Sequence, residues 1–102
     1  MTRNKKGTAM QPFKLDYRPF PANCSGTVYG MTCYHGGHYL ILIDSAAPAE
    51  QQAVTLRHEL AHIVLNHFTD TARSVEQLEA EAESYAAQMA ESEFDALMQW
   101  AI

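Results

Sequence analysis

No apolar run in the 102 residues is longer than Tyr39–Ile43, far short of the roughly 20 residues that a membrane-spanning helix needs. The basic start (Arg3, Lys5, Lys6) is not followed by the apolar stretch of a secretory signal, so a soluble protein of the cytoplasm is expected. Cysteine is scarce: Cys24 and Cys33 are too few to staple a chain of this size, and both are expected as reduced thiols. Combining them with His35 and His38 matches no standard zinc spacing. From Ser74 onward there is no Lys or Arg against seven acidic residues, and the formal net charge is −5, which argues against general nucleic-acid binding. The basic residues collect at the other end, where residues 1–12 lack periodicity and read as a flexible basic arm ahead of one compact domain, 13–102.

With 47% hydrophobic residues, that domain has a real but modest core, and a large substrate cavity is not expected. Pro19 and Pro21 keep any element near them short. Thr27–Tyr34 and His38–Asp44 are β-rich runs around Gly36-Gly37, the pattern of a hairpin. Beyond Asp44 the period changes. Ser45 to Pro48 form an entry turn, and Ala53, Leu56, Leu60, Ile63 and Val64 recur as one helical stripe. Ser74 to Gln77 has the form of a capping box opening a second helix to about Ala90, and Ser92 is expected to cap a last one, whose end at Trp100 and Ile102 is expected to cover the core. The fold class is therefore α+β, a hairpin or three-stranded sheet packed on a bundle of about three helices.

The chemistry lies opposite the apolar stripe of the first helix. His58-Glu-Leu-Ala-His62 is H-E-x-x-H, and positions i and i+4 lie about 6 Å apart along one helix face, so both imidazoles can reach a single zinc ion. Glu59, about 100° around the helix, can then reach a water activated by the metal. Catalytic zinc takes a third protein ligand. The metzincin arrangement is excluded because Leu65 and Phe68 stand where it requires Gly and His. His67 falls about 140° from His62 on a continued helix, on the core stripe, and reads as a packing or helix-end histidine. The second helix offers Glu79, Glu81 and Glu83. Glu79 borders the apolar stripe beside Ala82 and Ala86, Glu81 projects toward solvent, and Glu83, one turn after Glu79, can support a ligating histidine from behind. The alternative is that all three are solvated acids. A substrate oxyanion would need a further donor, for which Tyr34, His35, His38 and Tyr39 qualify by chemistry alone.

Taken together, His58-Glu-Leu-Ala-His62-Ile-Val-Leu-Asn-His67 and Glu79-Ala-Glu-Ala-Glu-Ser-Tyr-Ala-Ala87, preceded by the apolar strand Tyr39–Asp44, resemble the ImmA/IrrE metallopeptidase family. Its signature is H-E-L-G-H followed by E-x-E-A-N-x-F-A-A, so Ala61 replaces a glycine and Glu83 a shorter polar residue. The resemblance implies a minimal gluzincin-like fold, with His58, His62 and Glu79 holding zinc and Glu59 as the catalytic glutamate. It further implies a partner: a helix-turn-helix repressor of a phage or mobile element, cut or inactivated without direct contact to nucleic acid or membrane. The expected activity is thus zinc-dependent endopeptidase, and its alternative is a non-catalytic zinc module that sequesters a regulatory partner.

Overall fold

The computed structural model describes residues 10–21 and 28–102. In chain order they form β1 (Phe13–Arg18), β2 (Gly30–His35), β3 (His38–Asp44), α1 (Ala49–Val64), a 3-10 turn (His67–Thr69), α2 (Val75–Ala87) and α3 (Glu91–Met98). This is the expected α+β class. None of these helices is long and apolar enough to cross a membrane.

β3 is the central strand, antiparallel to β2 and parallel to β1. Gly36 and Gly37 turn the β2–β3 hairpin with φ of 61° and 90°, a left-handed pair that side chains with a Cβ resist. The period of two then sends Tyr39, Ile41 and Ile43 to the helix side, where each is buried. β1 ends just before Pro19, as that proline requires. Its parallel pairing with β3, Phe13 opposite Tyr39, is a long-range crossover with no local signal.

α1 lays Leu56, Leu60, Ile63 and Val64 on this sheet, whereas Ala53, one turn earlier, is exposed. Each fully buried aliphatic side chain contributes about 1.5–3 kcal/mol, more than a typical single hydrogen bond at about 1 kcal/mol. The core therefore imposes the geometry on the polar groups beside it. The helix has no side-chain cap at Pro48, and Gln52 instead donates back to the Ala47 carbonyl (2.8 Å). Asp44, buried at the end of β3, accepts from the N–H groups of Phe20 (3.1 Å) and Ala46 (3.0 Å) and fixes the turn into α1.

α2 opens with the expected capping box: the Gln77 N–H donates to Ser74 Oγ (3.1 Å) and the Ser74 N–H to Gln77 Oε1 (2.9 Å). Three expectations need correction. The first concerns the arm 1–12: residues 1–9 lie outside the described residues, but Met10 is buried in the core and the Pro12 carbonyl accepts from Tyr39 N–H (3.2 Å), so the domain has begun by Met10. The second concerns α3, which starts at Glu91 with Ala90 as N-cap and no side-chain cap, leaving Ser92 inside the first turn. Burial of Met89 and the ion pair of Arg57 with Glu91 (2.7 Å) bring the chain into helix two residues early. The third concerns the C-terminal tail, which meets the sheet through its backbone: Phe13 N–H donates to Trp100 (3.1 Å) and Ile102 N–H to Phe13 (2.8 Å). The Trp100 and Ile102 side chains remain exposed rather than covering the core.

Candidate metal centre and its cleft

α1 is buried on two sides. Opposite the core stripe, Thr55, Glu59 and His62 are also buried, facing an open cleft of about 740 Å³ bounded by β2, α1 and α2. A large substrate cavity was not expected of a domain this size, and the cleft corrects that expectation: it is sizeable because it is an open space between elements at the surface and needs no thick core around it.

His58 and His62 project into this cleft one turn apart, and α2 brings Glu79 to meet them. The Glu79 carboxylate lies 2.9 Å from His58 Nε2 and 3.1 Å from His62 Nε2, and the two imidazole nitrogens are 3.2 Å apart. Zinc with bonds of about 2.0–2.1 Å in a tetrahedron needs its ligand atoms about 3.3 Å apart. Two nitrogens and one carboxylate at this spacing fit a divalent metal in number, type and distance. Among the described residues, no other group of three His, Cys, Asp or Glu side chains is placed to hold one. Ala82, fully buried on the same helix, provides the small contact surface next to this junction.

Glu59 lines the same cleft. The pleat of β2 turns Thr32, opposite Ile41, to the helix side, where its hydroxyl donates to Glu59 Oε1 at 2.5 Å. Burial raises the Glu59 carboxyl above the ordinary carboxylate range, and the Thr32 hydrogen bond opposes that rise. Burial likewise pushes the His62 imidazole below its ordinary value, against the pull of Glu79. Both effects suit a metal site, since a neutral imidazole has a lone pair to give.

Behind the metal-facing side lies a second layer that the sequence reading placed differently. α1 stops at Val64, and Asn66 takes the left-handed conformation (φ 59°), which folds His67 back instead of continuing the helix. His67 is buried, with Nδ1 3.0 Å from His62 Nδ1 and Nε2 2.7 Å from Glu81 Oε1. Glu81, expected toward solvent, also accepts from Arg73 Nη2 (3.0 Å), and Arg73 is in turn tied to Asp70 (2.9 Å). The His67 hydrogen bond and Arg73 together hold the Glu81 carboxyl below the ordinary range. The supporting contact expected of Glu83 is made by His67, because His62 turns its outer nitrogen toward the 3-10 turn; Glu83 lines the cleft mouth and is exposed.

Of the expected oxyanion donors, Tyr34, His38 and Tyr39 are not brought to the centre. Tyr39 is buried against Phe68 and Tyr34, Tyr34 is exposed, and neither they nor His38 line the cleft. The side chain of His35 and all of Cys24 lie outside the described residues, and Cys33 is an exposed free thiol. Tyr29, Gln51 and Thr55 also line the cleft. Thr55 shares the histidine face of α1, and Gln51, one turn before it, carries the same helical spacing as a signal, whereas Tyr29 is brought there by the position of β2 beside α1, a tertiary fact.

Comparison with curated proteins and with solved structures gives no match. The family comparison does: residues 10–99 match the model of peptidase family M78, described as the IrrE N-terminal-like domain. That span runs from the buried Met10 to the end of the last helix and includes every residue of the His-His-Glu cluster. The chain belongs to this family of IrrE N-terminal-like peptidase domains.

Proposed function

We propose that this protein is a zinc-dependent endopeptidase whose metal is held by His58, His62 and Glu79 and whose general base is Glu59. The convergence of three donor side chains from two helices, with polar atoms 2.9–3.2 Å apart and beside a buried glutamate, carries this reading. Zinc held by His58, His62 and Glu79 would supply Lewis acidity toward a water and toward the peptide carbonyl. Glu59 would take a proton from the attacking water and deliver it to the departing amine. Thr32 holds the Glu59 carboxylate in position, while Tyr29 and Gln51 face the space where a substrate would lie.

Gly30, Met31 and Thr32 of β2 border the cleft, and β2 is an edge of the sheet. A substrate in extended form could add to that edge as a further strand, with main-chain hydrogen bonds holding its backbone beside His58, Glu59 and Glu79. Val28, Met31, Val54 and Val75, all exposed around the cleft, favour apolar side chains near the cleaved bond. The proposed partner, taken from the family resemblance, is a helix-turn-helix repressor of a phage or mobile element that presents an extended or locally unfolded segment, and the proposed setting is the cytoplasm.

The test is metal content and cleavage of a peptide library, read by mass spectrometry, for wild type and Glu59→Gln. One zinc per chain in both, with cleavage reduced about 10²–10⁴-fold in the variant, is the expected result. Undiminished cleavage by Glu59→Gln would overturn the assignment of the base. Zinc in both with cleavage in neither, even of the repressor, would favour the non-catalytic module that sequesters its partner.

A further inference from the structure

His62 reaches its neighbours through both ring nitrogens. Nε2 faces His58 and Glu79, and Nδ1 lies 3.0 Å from Nδ1 of His67. Two facing imidazole nitrogens at that distance require one proton between them, so one ring donates and the other accepts. Glu81 decides which. A carboxylate only accepts, so the 2.7 Å contact with His67 Nε2 places a proton on that nitrogen. A neutral His67 protonated there has a bare Nδ1, and a bare Nδ1 must receive its hydrogen bond from His62. His62 then carries its proton on Nδ1, leaving the Nε2 lone pair free and directed at the metal position.

Taking the cluster as the metal centre proposed above, we infer that His67 and Glu81 are positioning residues that hold His62 in the tautomer able to ligate zinc. Three features of the fold serve this arrangement. The left-handed Asn66 returns the chain so that His67 lies behind His62, the buried site of His67 keeps water from competing for His62 Nδ1, and Arg73 holds Glu81 in place. The acid that orients the metal ligand is therefore on α2, the helix that also supplies Glu79, and it acts through an intervening histidine. One helix thus provides both a direct ligand and the support for another.

The experiment measures zinc affinity by competition with a chromogenic chelator in wild type, His67→Leu and His67→Asn, and nitrogen-15 NMR of the histidine rings in zinc-loaded wild type. Leucine removes the acceptor behind His62 and should weaken zinc binding about 10–100-fold. Asparagine places an amide oxygen near the position of the imidazole Nδ1 and should recover most of that loss, which a purely packing role would not predict. In the wild-type spectrum, the proton of His67 should be on Nε2 and that of His62 on Nδ1. Because the spectrum uses the unaltered protein, it decides the matter even if the leucine variant does not fold. Wild-type affinity in His67→Leu, no recovery in His67→Asn, or a proton on Nδ1 of His67 would each overturn the relay while leaving the metal centre standing. A wild type that binds no zinc would overturn the metal centre and the relay with it.

Discussion

Thr32 and Tyr85 each give one hydroxyl proton to a carboxylate, with opposite consequences for pH. The Thr32 bond favours the ionised form of Glu59 and counteracts the rise caused by burial. In Thr32→Val burial acts unopposed, so the Glu59 carboxyl titrates at higher pH and less of it is available as a base. The acid limb of the kcat/KM profile should move upward, with activity near its midpoint down roughly tenfold, as expected for one hydrogen bond to a charged group. Tyr85 is pushed up to about 12 by burial and by its hydrogen bond to Glu93. Its folded value lies above the unfolded value of about 10, so its contribution to stability is complete below about pH 10 and is lost as pH rises through about 12. Urea midpoints collected from pH 9 upward should fall less steeply in Tyr85→Phe, which should cost about 1 kcal/mol at neutral pH. Of the site residues, His58, Glu59 and His62 stood out by spacing alone, whereas Glu79 was one of three candidate acids and was singled out by the family resemblance. Thr32 and Glu81 did not stand out, because nothing in their neighbourhoods marks them: one is a strand threonine and the other one of three alternating glutamates.

The elements that could be read were those with a local period. The hairpin, α1 and the capping box of α2 follow from alternation, the 3.6-residue stripe and the Ser74/Gln77 pair. The misplaced residues follow from where a period ends. Extending the α1 repeat past Val64 sets His67 on the core stripe, whereas one left-handed residue at Asn66 sends it to the other side. The parallel pairing of β1 with β3 spans a separation over which no pattern carries. The contact of β2 with α1 makes the sharpest prediction at this scale. A Cβ on Gly30 would stand 2.5 Å from Thr55 Cγ2 and 3.1 Å from the Leu42 carbonyl oxygen. Thr55 is β-branched and buried, so the strand must move away from the helix. Gly30→Ala should cost about 1–3 kcal/mol in denaturant unfolding, and activity should fall further than stability because Thr32 is drawn from Glu59.

For the whole molecule, a metal held by His58, His62 and Glu79 as proposed would act as a fastener between α1 and α2. Apart from Ala82 and Met89, the second helical segment contributes few buried side chains from Val75 to Ala90, so its attachment relies on polar contacts at the site more than α1 does. Zinc at 100 times its dissociation constant adds about 2.7 kcal/mol. At about 4–8 °C per kcal/mol for a domain of this size, removing it with a chelator should lower the melting temperature by roughly 10–20 °C, which calorimetry would show directly. A change below about 2 °C would mean that α2 is held without metal.

The tail that pairs with Phe13 has a consequence for how the sheet meets other chains. Open sheet edges are templates on which strands from elsewhere can grow, and an unbroken stack needs one on each side. Here the outer side of β1 is occupied at its start by Ala101 and ends at a proline, Pro19. β2 is left as the receptive margin among the described residues. A visiting strand of the kind proposed would therefore be taken up on one flank, beside His58 and Glu59, a geometry that favours one guest per molecule over a growing fibre.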